Sequence, residues 1–271
     1  EKRKNLRGFT MNYSGILGLL SGIILILYGI VGAEGGRLGF FYDPASIAIT
    51  LGGTVATLLI SFPFSTFKKV PKLIAMVFKP KKYKPHDHID QIVEYCQIAR
   101  SKGLLALEDS ANNCKDPFMK SALMLIVDAT DGEKVREMLD DALDFMSERH
   151  ESSINFFDKG AALAPGFGMI GTLIGLINML GTMDDNPDGL AAGMSVALVT
   201  TFYGSVLANL IFAPIASRLK TLHDEELLCM QIIEEGVLAI QSGANPRNVR
   251  EKLEFMLPKD DGKKKRADKE D

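Results

Sequence analysis

Charge is missing from four long stretches of this chain. Met11–Ala33, Pro44–Phe67, Gly160–Met183 and Gly189–Ser217 each run for more than twenty positions without Asp, Glu, Lys, Arg or His. At about 1.5 Å of rise per residue, twenty apolar residues cover a hydrocarbon core of about 30 Å, so each run reads as a membrane-spanning helix. Ionisable groups held at membrane depth ordinarily mark proton relays and ion pathways. The chain therefore brings no proton carrier of its own into the bilayer. Paired cysteine spacing is also missing. Cys96, Cys114 and Cys229 fall in segments assigned to the cytosol, which suits reduced thiols acting as small core residues better than disulfides or a metal site. There is no nucleophile elbow, no phosphate loop and no credible pair of catalytic carboxylates, so the chain does not read as an enzyme. Its basic residues lack interleaved aromatics, which gives nucleic-acid binding no support. No segment shows the alternation of a strand.

What is present sorts into two kinds of sequence. The net charge of −3 and the 46% hydrophobic content would suit a soluble protein, but they average over uncharged runs and charged connections. Lys and Arg in the flanks set orientation. Lys2, Arg3, Lys4 and Arg7 precede the first run, and Lys68, Lys69, Lys72, Lys79, Lys81, Lys82 and Lys84 follow the second. Arg218 and Lys220 follow the fourth, whereas the connections between runs one and two and between runs three and four hold only Arg37. Both termini are expected inside, at the plasma membrane, with short connections outside. The first run lacks the short apolar region and cleavage site of a signal peptide and is expected to be retained.

The expected fold is an all-α membrane protein with four transmembrane helices. A helical cytoplasmic domain forms from the loop between spans two and three together with the C-terminal segment. Residues 1–10 are a native extension or an expression remnant, 11–67 hold spans one and two, and 68–159 form the cytoplasmic domain. Residues 160–217 hold spans three and four, 218–258 a cytoplasmic helical extension, and 259–271 a charged tail without the apolar residues needed to fold. The Lys263–Arg266 cluster in that tail could touch anionic lipid, though a solvating role suits its composition better. In the loop, Ile89, Ile92, Val93 and Cys96 make one apolar stripe and Val135, Met138, Leu139, Ala142 and Met146 another. Helices are punctuated at Asp116-Pro117, Asp131-Gly132 and Ser242–Pro246, with a last short helix marked by Val249, Leu253 and Phe255.

Several motifs have a plain and a sharper reading. Gly166-Phe167-Gly168-Met169-Ile170-Gly171 has dinucleotide-loop spacing but lies inside an uncharged run, where small residues instead let helices approach closely. Gly18/Gly22, Gly171/Gly175 and Gly189/Gly193 repeat that pattern. Pro165 and Pro214, near the inner ends of spans three and four, are either a paired hinge or ordinary membrane prolines. Thr172, Thr200, Thr201 and Ser205 place hydroxyls in these spans, to bond back to the preceding turn or to face a polar interior. With Tyr203 and Asn209 nearby, an ion that passes anywhere passes here. His86-Asp87-His88 fits no common zinc spacing and reads as a solvated helix start.

Three segments together resemble one family. They are Ala164-Pro165-Gly166-Phe167-Gly168-Met169-Ile170-Gly171-Thr172-Leu173-Ile174-Gly175-Leu176, then Leu198-Val199-Thr200-Thr201-Phe202-Tyr203-Gly204, then Ala213-Pro214-Ile215-Ala216. They are similar to the flagellar-stator (MotA) branch of the MotA, TolQ and ExbB group of ion-driven membrane motors, from Met11 to about Leu257. The resemblance implies a homopentamer around the single helices of a MotB-like subunit, which supplies the ion-binding aspartate, and torque delivered to the rotor protein FliG. It implies that Pro165 and Pro214 are the functional prolines near the channel's inner end and that Thr201 lines the ion path. Thr172 stands where some members have alanine. Arg100 and Glu108, in Arg100-Ser101-Lys102-Gly103-Leu104-Leu105-Ala106-Leu107-Glu108, become the charges facing the rotor. No cofactor is implied; the transported ion is H+ or Na+, and protons are favoured because nothing in the chain builds a cation cage. A TolQ- or ExbB-like envelope energiser, a self-sufficient channel and a passive scaffold are the competing readings.

Overall fold

The computed structural model describes residues 13–32, 36–181 and 187–258. The extension 1–10, the turn residues Asp184 to Asn186 and the tail 259–271 lie outside the described residues. Among the described residues the regular structure is helical, as expected, and four helices are long and apolar enough to cross a membrane. The residues form two compact units. The first takes Glu1–Lys81 and Glu151–Thr221, the second Lys82–His150 and Leu222–Asp271.

In the first unit, α1 (Tyr13–Val31) is one uncharged helix. The second span begins as α2 (Pro44–Ile47), widens through a π-helical turn at Ala48–Gly52 and continues as α3 (Gly53–Ser61). Asp43 caps its start, with a side chain accepting from the Ser46 amide at 2.8 Å. That bond satisfies one of the orphan donors every helix N-terminus carries. Phe62 and Pro63 break the helix, and α4 (Phe64–Phe78) follows. The third span is the C-terminal part of α8 (Gly132–Gly181), and the fourth is α9 (Pro187–Val206). A second π-helical turn at Leu207–Phe212 joins α9 to α10 (Ala213–Gln241). Pro214 explains the neighbouring π geometry: it offers no N–H to the turn before it, and widening that turn relieves the clash of its ring. Lys68–Lys81 and Glu151–Lys159 group with the spans because they share a core, in which Val77, Ile154, Phe156 and Phe157 pack with Leu58, Ile215, Ala216 and Leu219.

The second unit is a helical bundle of α5 (Pro85–Lys102), α6 (Leu107–Asn113), α7 (Pro117–Val127), α11 (Pro246–Phe255) and the unit's portions of α8 and α10. Asp116 and Asn245 cap α7 and α11 through side-chain bonds to backbone amides at 3.0–3.1 Å. Gly103, at φ 85°, ends α5 in a conformation other residues rarely adopt. Ile89, Ile92, Val93 and Cys96 are buried as their spacing requires, and none of the three cysteines is in a disulfide. One expectation needs correcting. Met138 is 51% exposed and Leu143 is buried in its place, because Val135, Leu139, Leu143 and Met146 form the face of α8 turned inward. Phe255 belongs to α11 as expected but is exposed.

Candidate functional site in the third and fourth spans

The third and fourth spans run antiparallel at close range, and missing side chains allow it. A Cβ on Gly175 would stand 2.5 Å from the Gly193 carbonyl oxygen, and one on Gly204 would stand 2.6 Å from that of Ala164. Gly168 faces the Thr200 carbonyl and Thr201 Cα in the same way. The glycine-rich motif therefore works in helix packing, through Gly168 and Gly171; Gly166 faces open space. Gly22 of α1 meets the Leu210 side chain, whereas Gly18 meets nothing, and the surroundings of Gly189 lie outside the described residues.

The structure separates the three threonines. Thr200 is fully buried, seated on Gly171 and donating to the Val196 or Ala197 carbonyl at 2.8 and 3.0 Å. Thr172 and Thr201 meet across the interface instead, with hydroxyl oxygens 2.5 Å apart. Both lie within reach of the Ala197 carbonyl, at 3.1 and 3.2 Å, and Thr172 also of Gly168 at 3.0 Å. Thr201 is exposed, and Ser205 and Asn209 continue a polar line along its face at helical spacing. Leu198 and Met194 continue that face as apolar surface. Pro165 is half-buried within an uninterrupted α8, and Pro214 is exposed beside the π turn.

Oxygen is the only polar element of this cluster, and none of it ionises near neutral pH. Two hydroxyls and two carbonyls can solvate a hydrated cation or hydrogen-bond a carboxyl group, but they cannot carry a proton as a base.

The first unit holds two further polar features, the first of which no sequence pattern singled out. Ser46, Thr50 and Thr54 are fully buried along one face of the second span, each threonine donating back to the carbonyl four residues earlier at 2.6 Å. Their four-residue spacing was the available signal. Tyr203 donates to the Phe41 carbonyl, which ties the fourth span to the connection ahead of the second. The Tyr203 ring lines an apolar cavity of about 160 Å³ with Ile47, Thr50, Leu51, Val206 and Leu207.

In the second unit, Arg100 ends α5 and Glu108 opens α6, both exposed, with Leu105 75% exposed between them. Among the described residues neither enters a salt bridge. Each charge sits at the helix end its sign favours. Other charges are committed to holding the bundle. Lys252 bonds Glu235 at 2.5 Å and Arg136 reaches Glu235 at 3.4 Å, and the Lys252 bond holds the Glu235 carboxyl below its ordinary range. Burial and then the neighbouring Asp140 push buried Glu234 up to about 7. Burial also lowers His150, whose Nδ1 lies 3.2 Å from that of His223. Burial and a hydrogen bond to Glu226 raise the Tyr83 phenol well above its ordinary range. The His86–Asp87–His88 segment opens α5 with Asp87 paired to Lys84 at 2.9 Å.

Comparison with known proteins places this arrangement. Residues 110–232 match the MotA/TolQ/ExbB proton channel family, and residues 16–103 match the Motility protein A N-terminal family. Motility protein A of Borreliella burgdorferi is 41% identical over 251 residues, 92% of this chain and 96% of that protein. Chemotaxis protein PomA of Vibrio alginolyticus is 39% identical over 91% of this chain and 96% of its own length. Among solved structures, C. jejuni MotAB matches with a TM-score of 0.83 at 30% identity, covering 92% of this chain and 97% of that one. The flagellar MotAB stator complex of Bacillus subtilis matches at 0.80 and 34%, covering 90% and 97%. Similarity of this depth extends over both units, and the chain belongs to the MotA/TolQ/ExbB proton channel family.

Proposed function

We propose that the chain is the ring-forming subunit of a flagellar stator, working with a MotB-like single-span partner to convert ion motive force into torque on FliG. The observation that carries the reading is the Thr172–Thr201 hydroxyl pair on an exposed face of spans that hold no ionisable group. That face is apolar at Leu198 and Met194 and polar at Thr201, Ser205 and Asn209, which suits a partner helix carrying one acid at mid-membrane depth. Five copies surround the partner helices, with both termini of each copy inside the cell. Arg100 and Glu108 face the rotor, and protons are the coupling ion. Motility proteins and MotAB complexes among the relatives favour rotation over envelope energisation.

Thr201→Val keeps the shape of the side chain and removes its hydroxyl. In liposomes holding this chain with its single-span partner, the substitution should lower ion flux about tenfold, the equivalent of about 1.4 kcal/mol in the barrier. The assembled complex should persist. Wild-type flux from the variant, or selective flux from this chain alone, would overturn the reading.

A further inference from the structure

The exposed face of α4 is a concentrated, unpaired positive charge at the end of a membrane span. Phe64, Lys68, Lys69 and Lys72 are exposed at helical spacing and Lys79 is exposed just past the helix end, while Phe67, Val70, Leu73, Ile74 and Val77 pack into the first unit's core. No acidic residue occurs from Pro44 to His86. Among the described residues none of these four lysines enters a salt bridge, whereas Lys84, Arg136, Arg247, Arg250 and Lys252 all do. Lys68 Nζ lies instead 5.6 Å from the centre of the Phe64 ring, which is 66% exposed.

Position makes this charge meaningful. Only Phe62 and Pro63 separate α3 from α4. The three steps from Ser61 to Phe64 span at most about 11 Å, so α4 starts close to the end of the span, at a distance comparable to the Debye length of about 8 Å at physiological ionic strength. A helix with one packed apolar side, an exposed aromatic and a lysine face beside a span matches the physics of anionic-lipid recognition, at about 1 kcal/mol per lysine near the surface.

We propose that the Phe64, Lys68, Lys69 and Lys72 face of α4, with Lys79 just past its end, binds the phosphate head groups of anionic lipids and holds a shell of them around the protein. The proposal needs only the membrane assignment and not the partner, the ion or the rotor.

The chain contains no tryptophan, so Phe64→Trp creates a single fluorescent reporter on this face. The full-length variant is reconstituted in phosphatidylcholine vesicles containing brominated phosphatidylglycerol or, at the same mole fraction, brominated phosphatidylcholine. Quenching should favour brominated phosphatidylglycerol by about two-fold or more, and should fall to parity when salt is raised from about 0.1 M to about 1 M. Lys68→Gln, Lys69→Gln and Lys72→Gln combined in that background should also abolish the preference. Equal quenching by the two lipids in the parent, or a preference that survives in the triple variant, overturns the proposal. If the triple variant fails to insert, the salt series on Phe64→Trp alone decides, and a preference unchanged by salt overturns it.

Discussion

Replacing Gly175 by alanine tests whether the closeness of the third and fourth spans is what assembles the hydroxyl pair. The added Cβ would stand 2.5 Å from the Gly193 carbonyl oxygen and 2.7 Å from the Ala197 nitrogen. Both are backbone atoms, so no rotamer change relieves the contact and the helices must part by about 1 Å to reach an ordinary separation. Thr172 lies about one turn from Gly175, and Thr201 one turn from Ala197. The same displacement carries their 2.5 Å contact to the edge of hydrogen-bonding range. Overpacking of this kind costs about 1–3 kcal/mol, of which the better helix propensity of alanine offsets up to about 1 kcal/mol. Gly175→Ala should therefore lower the thermal midpoint of the purified complex and reduce ion flux in liposomes. Gly166→Ala is the control: nothing lies within 4 Å of its new methyl group, so it should leave flux unchanged and should not lower the midpoint, which its better helix propensity can only raise. A Gly175→Ala complex with wild-type midpoint and flux would refute the argument, because it would mean that the helices do not touch there.

Three further outcomes follow from the geometry. Glu234→Gln removes a buried carboxyl whose pKa is raised to about 7 by burial and Asp140. A raised carboxyl favours folding most below its unfolded value near 4.5, and that advantage disappears as pH rises through 7. The variant's gain over wild type should thus grow across this window to at most about 3 kcal/mol and then level off. Maleimide protection of buried Cys96 and Cys229 on heating reads it out, and a pH-independent difference would refute it. Arg100→Glu should weaken swimming torque in a complementation assay while insertion and partner binding persist; unimpaired motility would remove Arg100 from the rotor contact. Pro214→Ala restores an N–H beside the π turn at Leu207–Phe212 and should lower flux and torque without preventing assembly. Normal swimming speed would count against a hinge there.

The spans were legible because burial in hydrocarbon is what a chain of twenty uncharged, mostly apolar residues demands: a soluble helix of that length must turn one face to water. The glycine motif was legible as packing because its context excluded a nucleotide loop, although only the structure shows that Gly168 and Gly171 touch the fourth span and Gly166 does not. Helix rotation was less legible. Thr200 and Thr201 are about 100° apart on one helix, so one is buried on Gly171 while the other meets Thr172, and no local pattern distinguishes them. Met138 failed for a related reason: it lies at the margin of an apolar arc whose centre Leu143 shifts away from it. The π turns had only Pro214 as a signal, and a proline allows a kink, a bulge or neither. The buried Ser46, Thr50 and Thr54 were readable in principle, but their polarity argues against burial until the back-bonds to the preceding turn are counted.

The proposed function constrains where motion can occur. One elementary charge falling through 100 mV releases about 2.3 kcal/mol, which is comparable to the cost of a single backbone clash of about 1–3 kcal/mol at an overpacked helix interface. Gly175, Gly193 and Gly204 leave no room for a Cβ against the facing backbone, so the two spans fit closely at several points. Sliding one span past the other would exhaust what a single ion supplies, whereas moving a partner helix across the exposed Leu198, Thr201 and Ser205 face breaks no contact inside this subunit. On the proposed function, the dense small-residue packing holds Thr172 and Thr201 in place while a partner's acid passes them.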